Sequence, residues 1–405
     1  MPAIRSAVAR GLSMGVEEEF LLVDPATART APAAPAVLRR VLREPPPGDG
    51  GAYQTELLTT QIEASTGVCT TLGQLRRQLT AGRRRLAGAA RAEGLRLVSS
   101  GSPVLGHQGP CPVTEGDRYA RIVALYGTAL EDYQMCGCHV HIGVPDRDTA
   151  VAVVNRIRPW LPVLLSLSVN SPSDGTKDRG YASWRIVEQA RFPSAGIPPR
   201  FASAAAHDAE VDRLVEAGAI SDPAMTFWLA RPSSRFPTVE FRVADAAATV
   251  DEAVLQAALA RALVRTALAG PAEDRPVPLL DAQVGDTAIW TAARHGLAGP
   301  GVDPLTGARG PAVARVQALL DHVAGSLEET GDTAEVRRTL AAVCRWGTGA
   351  ERQRAGWMLG GPRAVVDLLA DQTDPAGGPG PRGTPGPPGS GLPEDDVPAD
   401  MGEPT

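Results

Sequence analysis

Glu17 and Glu19 stand two residues apart in Gly15-Val16-Glu17-Glu18-Glu19-Phe20. On a strand, alternate side chains share a face, so these carboxylates point one way while Val16, Phe20 and Leu22 point the other. Carboxylates at this spacing suit a hard, oxygen-preferring cation such as Mg2+. A solvated strand face has the same alternation, but the run from Phe20 to Val23 argues for a buried strand. Glu18 falls on the apolar face and has no assigned role. Glu56 and Glu63 are seven residues apart and would face opposite ways on one straight strand. A bend or bulge at Thr59-Thr60 would bring them to one site.

His139 and His141 share a face in Cys138-His139-Val140-His141-Ile142. That pattern is read either as metal or phosphate chemistry or as two hydrogen-bonded core histidines. Cys136 and Cys138 read as small core residues. In Thr238-Val239-Glu240-Phe241-Arg242-Val243, Glu240 and Arg242 share a face. They form either a simple ion pair or a metal ligand beside an anion clamp, with Arg231 and Arg235 adding positive charge nearby. The polar, glycine-punctuated stretch 170–185 is either a functional loop or a surface linker.

Hydrophobic period and turn residues set the elements that hold these groups. Strands are expected at 14–23, 53–66 with a break, 95–100, 136–144, 226–231 and 238–245. Helices are expected at 71–93, at 118–130, and at 148–169 with a disturbance at Pro159 and Pro162. A long loop follows at 170–199, and helices dominate from 250 to 369. No regular strand–helix–strand beat runs through this order, so the fold class is α+β with a mainly antiparallel sheet. Residues 1–372 are expected to form one catalytic domain. Residues 373–405 form a Pro/Gly-rich tail that cannot bury enough apolar surface to order itself.

Composition excludes several classes. The 405 residues carry a net charge of −6, which speaks against a nucleic-acid partner. Lys177 is the only lysine; the other basic residues are arginines. The five cysteines are odd in number and lack a Cys-x-x-Cys, so neither a disulfide framework nor a zinc ribbon is expected. The segment 1–14 has no signal-peptide pattern and the longest apolar run is too short for a membrane span. A cytoplasmic protein is expected, with a homodimer as the commonest assembly. No Walker A or Rossmann glycine motif occurs, so any ATP must be held by metal ions and arginines.

Taken in order, GVEEEF, TELLTTQIEASTG, SSGSPVLG, DRYARI, CGCHVHIGV, SPSDGTKDRGYASWR and RPSSRFPTVEFRVAD resemble the type 2 glutamate–cysteine ligases, or carboxylate–amine ligases. The resemblance implies a glutamine-synthetase-like fold, a curved sheet with helices packed outside, and the use of ATP and Mg2+. It implies that Glu17, Glu19, Glu56, Glu63, His139 and Glu240 bind metal. Arg242 and Arg185 would grip phosphate or substrate carboxylate, and Arg231, Arg235 and Lys177 would contact ATP. The implied reaction makes γ-glutamylcysteine, a glutathione precursor, through γ-glutamyl phosphate. The small-molecule substrates stay open, since a different amino acid or amine fits the same core. A Zn2+ amidohydrolase built on His139-x-His141 is a second reading, and a non-catalytic binder on the same fold a third.

Overall fold

Alternation of apolar and acidic residues makes Met14–Val23 the first strand, β1, over the whole expected range. The computed structural model describes residues 11–43, 45, 50–175, 177–270 and 276–374. After β1 come α1 (Ala34–Val41), β2 (Ala52–Thr55), β3 (Gln61–Ser65), α2 (Leu72–Ala92), β4 (Arg96–Val98), α3 (Asp117–Tyr126) and β5 (Gly137–Gly143). Then follow α4 (Arg147–Ile157), α5 (Leu161–Ser168), α6 (Trp184–Gln189), α7 (Ala204–Glu216), β6 (Ala230–Pro232) and β7 (Thr238–Asp245). The remainder is α8 (Val250–Ala269), α9 (Ala282–His295), a small hairpin of β8 (Pro300–Val302) and β9 (Arg309–Pro311), α10 (Ala312–Thr330), α11 (Thr333–Trp346) and α12 (Gly349–Thr373).

The main sheet runs β2-β3-β1-β5-β7-β6, with β4 also on β1. All its pairings are antiparallel. One face is apolar: Met14, Val16, Cys138, Val140, Ile142, Val239, Phe241 and Val243 pack on helices α2, α4, α5 and α8 in one core. Each fully buried Leu, Ile or Phe there contributes about 1.5–3 kcal/mol. Helix α8 is buried nearly all round, as a helix running through a core must be, and it starts at a Thr249–Glu252 capping box. The opposite sheet face carries the charged residues.

Glu18 breaks the apolar face and has a partner. Arg83 of α2 donates Nε to Glu18 Oε2 at 3.0 Å and Nη2 to Oε1 at 2.6 Å. Its remaining N–H groups reach the carbonyls of Ala247 and Ala248 at 2.7 and 3.1 Å. The guanidinium is fully buried, and its charge and donors are met by these groups.

The backbone corrects several boundaries. The expected strand at 226–231 is only Ala230–Pro232, because Asp222 caps a 3-10 turn at Pro223–Met225. The helix expected at 118–130 breaks at Gly127, which takes φ 55°, and ends as a 3-10 turn. The strand expected at 95–100 ends at Val98, since Ser99 N–H turns to Thr373 Oγ1 at 2.9 Å. The expected loop 170–199 holds helix α6, capped by Ser183. Helices α1 and α7 and the β8–β9 hairpin had no expected counterpart. The stretch Arg147–Ser168 is long and apolar enough to cross a membrane, but its apolar window is 83% buried within the fold and serves the core. Helix α12 runs to Thr373, and the tail expected over 373–405 lies, past Asp374, outside the described residues.

Candidate active site

Strand register assembles the charged face. Glu19 of β1 stands opposite Glu63 of β3, and Glu17 stands opposite His139 of β5. His141 stands opposite Glu240 of β7. Between Cys138 and Val140 the pairing slips by one residue, so Arg242 and Val243 together face His139. This bulge sets Arg242 Nη1 3.4 Å from His139 Nδ1. Glu56 enters from the turn between β2 and β3, so the chain does bend between Glu56 and Glu63, the condition under which the two could share a site. Glu19, Glu56 and Glu63 each bring an oxygen within 4.8 Å of the others, and Glu17, His141 and Glu240 form a second such group. His139 lies between the two, with Nδ1 3.6 Å from Glu17 and Nε2 3.9 Å from Glu19.

The two groups differ electrically. Burial, then the charge of Glu56, pushes the Glu19 carboxyl up to about 8, although the Gly137 N–H donates to it at 2.6 Å. Burial and the neighbouring Glu56 and Glu17 likewise raise Glu63 well above the usual range. Burial would also raise Glu17, but hydrogen bonds and charge from His139 and His141 outweigh it and hold it low. Glu240 is held low in the same way by Arg231 and Arg242, against its burial. Burial and Arg242 lower His139 to about 4, leaving a neutral imidazole at pH 7. Carboxylates crowded until they hold protons, beside a neutral imidazole, are a donor set that a divalent cation binds by displacing those protons. The oxygen-rich set fits Mg2+ better than Zn2+.

Arginines from β6, β7 and α6 complete the site. Glu240 is gripped by Arg231, Nε to Oε2 at 2.9 Å, and by Arg242 Nη1 at 2.5 Å. Arg231 is itself fixed by Thr226, whose carbonyl and hydroxyl accept from Nη1 at 2.8 and 3.0 Å. Arg185 donates Nη2 to the Arg242 carbonyl at 3.0 Å. The loop that carries Arg185 is tied down by Asp245, which accepts from Asn170 N–H, Ser171 Oγ and Ser183 Oγ at 2.7–2.8 Å. A side chain at Gly137 would crowd the site, since a Cβ there would lie 2.6 Å from Arg185 Nη2 and 2.8 Å from His139 Nε2.

One cleft is lined by Glu17, Glu19, Glu56, Glu63, His139, Arg185, Arg231, Arg235, Glu240 and Arg242. Its far side is apolar, with Ile122, Leu130 and Phe227 drawn from one packed cluster. Arg235 is exposed. Lys177 does not join the cleft lining; it is exposed on a turn where its N–H bonds Asp174 at 3.4 Å. Sequence reading missed Arg83 and Asp245, and also Tyr133 and Gln189, which line the cleft. Asp245 could have been suspected from its place at the end of the Glu240–Arg242 strand; Gln189 sits in a helix read as loop and gave no signal. No disulfide joins the five cysteines; Cys344 is exposed and the other four are buried.

The family described as glutamate-cysteine ligase family 2 matches this chain over residues 13–358. A relative in Saccharopolyspora erythraea, provisionally named glutamate–cysteine ligase 2-2, is 52% identical over 92% of this chain and 96% of its own length. One of the same provisional name in Mycolicibacterium vanbaalenii is 44% identical, over 89% and 96%. Among solved structures, glutamate–cysteine ligase from Francisella tularensis, a complex with AMP, superposes with TM-score 0.63 at 12% identity, over 89% of each chain. A bifunctional glutathione synthetase from Pasteurella multocida gives 0.66 at 17% identity over 92% of this chain, which spans about half (54%) of that protein. At such identities these two structures show a shared fold.

Proposed function

Since the chain belongs to the glutamate–cysteine ligase family 2, and is thereby an ATP-dependent carboxylate–amine ligase, we propose that it joins L-glutamate to L-cysteine through the γ-carboxylate of glutamate. The observation that supports this most is the single cleft where two carboxylate groups face Arg185, Arg231 and Arg242. Family membership decides for ligase chemistry over the amidohydrolase.

In the proposed reaction a γ-carboxylate oxygen attacks the γ-phosphorus of ATP and ADP leaves. The amine nitrogen then attacks the acyl carbon, phosphate leaves, and the nitrogen releases a proton as the amide forms. Mg2+ held by Glu17, Glu19, Glu56, Glu63 and Glu240, with His139 or His141, would neutralise phosphate charge. Arg242 and Arg185 lie where they can orient the transferring phosphoryl group or a substrate carboxylate. Arg231 holds Glu240 in place by two hydrogen bonds. Arg235 lines the cleft and is free to approach a nucleotide phosphate. Apolar residues of the far wall exclude water, which would otherwise hydrolyse an acyl phosphate. Five cysteines with no disulfide among them support a reducing, cytoplasmic setting.

The test is ADP release by the purified protein with Mg-ATP and glutamate, with and without each of a panel of amines. Release that needs both glutamate and cysteine, with the dipeptide found by mass, establishes the substrates. Release with another amine keeps the chemistry and changes the product. No release with any pair rejects the reading.

A further inference from the structure

Within the cleft, helix α6 carries two buried polar atoms that meet no hydrogen-bond partner among the described residues: Arg185 Nη1 and Gln189 Oε1. Both residues are 3% exposed, and both line the cleft. Four residues apart on a helix, they share a face. Nη2 of Arg185 is engaged by the Arg242 carbonyl, while Nη1 comes only within 3.9 Å of Asp245 Oδ1, beyond hydrogen-bond range. A buried donor and a buried acceptor left unmade are costly, and because both side chains line one cleft, the pair marks a place where a ligand can supply the missing partners. The pair asks for an anion and a hydrogen-bond donor side by side.

We propose that Arg185 and Gln189 form a subsite for an α-amino acid bound as its zwitterion, the guanidinium taking the α-carboxylate and the amide oxygen the α-ammonium. Gln189 is then the residue that selects the amino acid over the corresponding plain dicarboxylic acid. This rests on the ligase reading and deepens it by saying which substrate lies here. The amine of the attacking substrate must lose its proton and reach the acyl carbon, so it cannot be clamped as an ammonium. The subsite therefore belongs to the substrate whose side-chain carboxylate is activated and whose own amine survives in the product. A neutral amide suits that task, because it accepts from the ammonium without adding a charge beside Glu19.

The experiment compares glutamate with glutarate, which has both carboxylates and no amine. For the wild-type protein kcat/KM should favour glutamate at least about 100-fold, as buried polar groups reject a ligand that leaves them unpaired. Gln189→Leu should lower that ratio at least about tenfold. Gln189→Glu, which keeps an acceptor oxygen, should retain the preference. Thermal melts of the variants establish that each is folded. An unchanged ratio in folded Gln189→Leu overturns the proposal. Calorimetric titration of glutamate and glutarate into the full chain, with Mg2+ and a non-hydrolysable ATP analogue, decides the matter separately from turnover. Tighter glutamate binding that Gln189→Leu abolishes supports the subsite even without ligase activity. Equal binding of the two acids, or binding of neither, overturns it.

Discussion

Arg83 meets Glu18 with two hydrogen bonds, at 2.6 and 3.0 Å, in a part of the core sealed from solvent. The contact joins α2 to β1 directly behind the strand face that presents Glu17 and Glu19. Arg83→Met leaves the Glu18 carboxylate buried and unpaired and should cost about 3–5 kcal/mol of stability in denaturant unfolding. The double variant Arg83→Met with Glu18→Leu should recover most of that loss. A single variant as stable as wild type would show that water reaches Glu18.

Glu240→Gln should lower Mg2+-dependent ADP release about 100- to 1,000-fold, the scale of losing one preorganised electrostatic group. Circular dichroism should show a folded protein. Wild-type turnover would remove Glu240 from the site.

Gly137→Ala places a methyl group within 2.6 Å of Arg185 Nη2 and 2.8 Å of His139 Nε2. The Arg185 head group is the part able to move. Turnover should fall roughly 100-fold, the scale of an ångström of misplacement, while the melting temperature changes little. Full activity would mean that the position of Arg185 in this cleft is not needed.

Stability of the metal-free protein should fall as pH rises from 6.5 to 8. Glu19 titrates near 8 in the folded protein against 4.5 as a free side chain, so the folded state holds the extra proton across this range. A group raised in this way gives stability that is complete below 4.5 and is lost on the way up through 8. Glu63 and His141 are raised too and act in the same direction. His139, lowered to about 4, acts oppositely, but most of its effect falls below 6.5. Melts in chelator should show the decline, Mg2+ should reduce it, and Glu19→Gln should flatten it. A flat profile in chelator would contradict the raised Glu19.

Much of the site was legible because strand alternation is strict. Glu17 with Glu19 and Glu240 with Arg242 could be put on shared faces from spacing alone. The convergence of Glu63 on Glu19 and of His141 on Glu240 could not, since register between distant strands is set by packing and turn geometry. The resemblance put Lys177 beside ATP, yet it is exposed on a turn outside the cleft lining, in a stretch that Asp245 anchors through Asn170, Ser171 and Ser183. Glu18 looked anomalous on its own strand because its partner lies 65 residues away on α2. Gln189 carries no signal in sequence; only its buried, unpartnered oxygen singles it out.

The antiparallel pairing of β1 with β5 has a consequence during synthesis. Glu19 waits 118 residues for the Gly137 amide that meets it. At ribosomal speeds that is on the order of ten seconds, in which β1 has emerged without its β5 neighbour. The edge of β1 that later takes β5 is open meanwhile, in a strand ending in Phe20-Leu21-Leu22-Val23, and three adjacent glutamates at its centre repel a second copy. The carboxylates gathered in the cleft of the finished fold would thus also disfavour pairing of two nascent copies along that edge until β5 arrives.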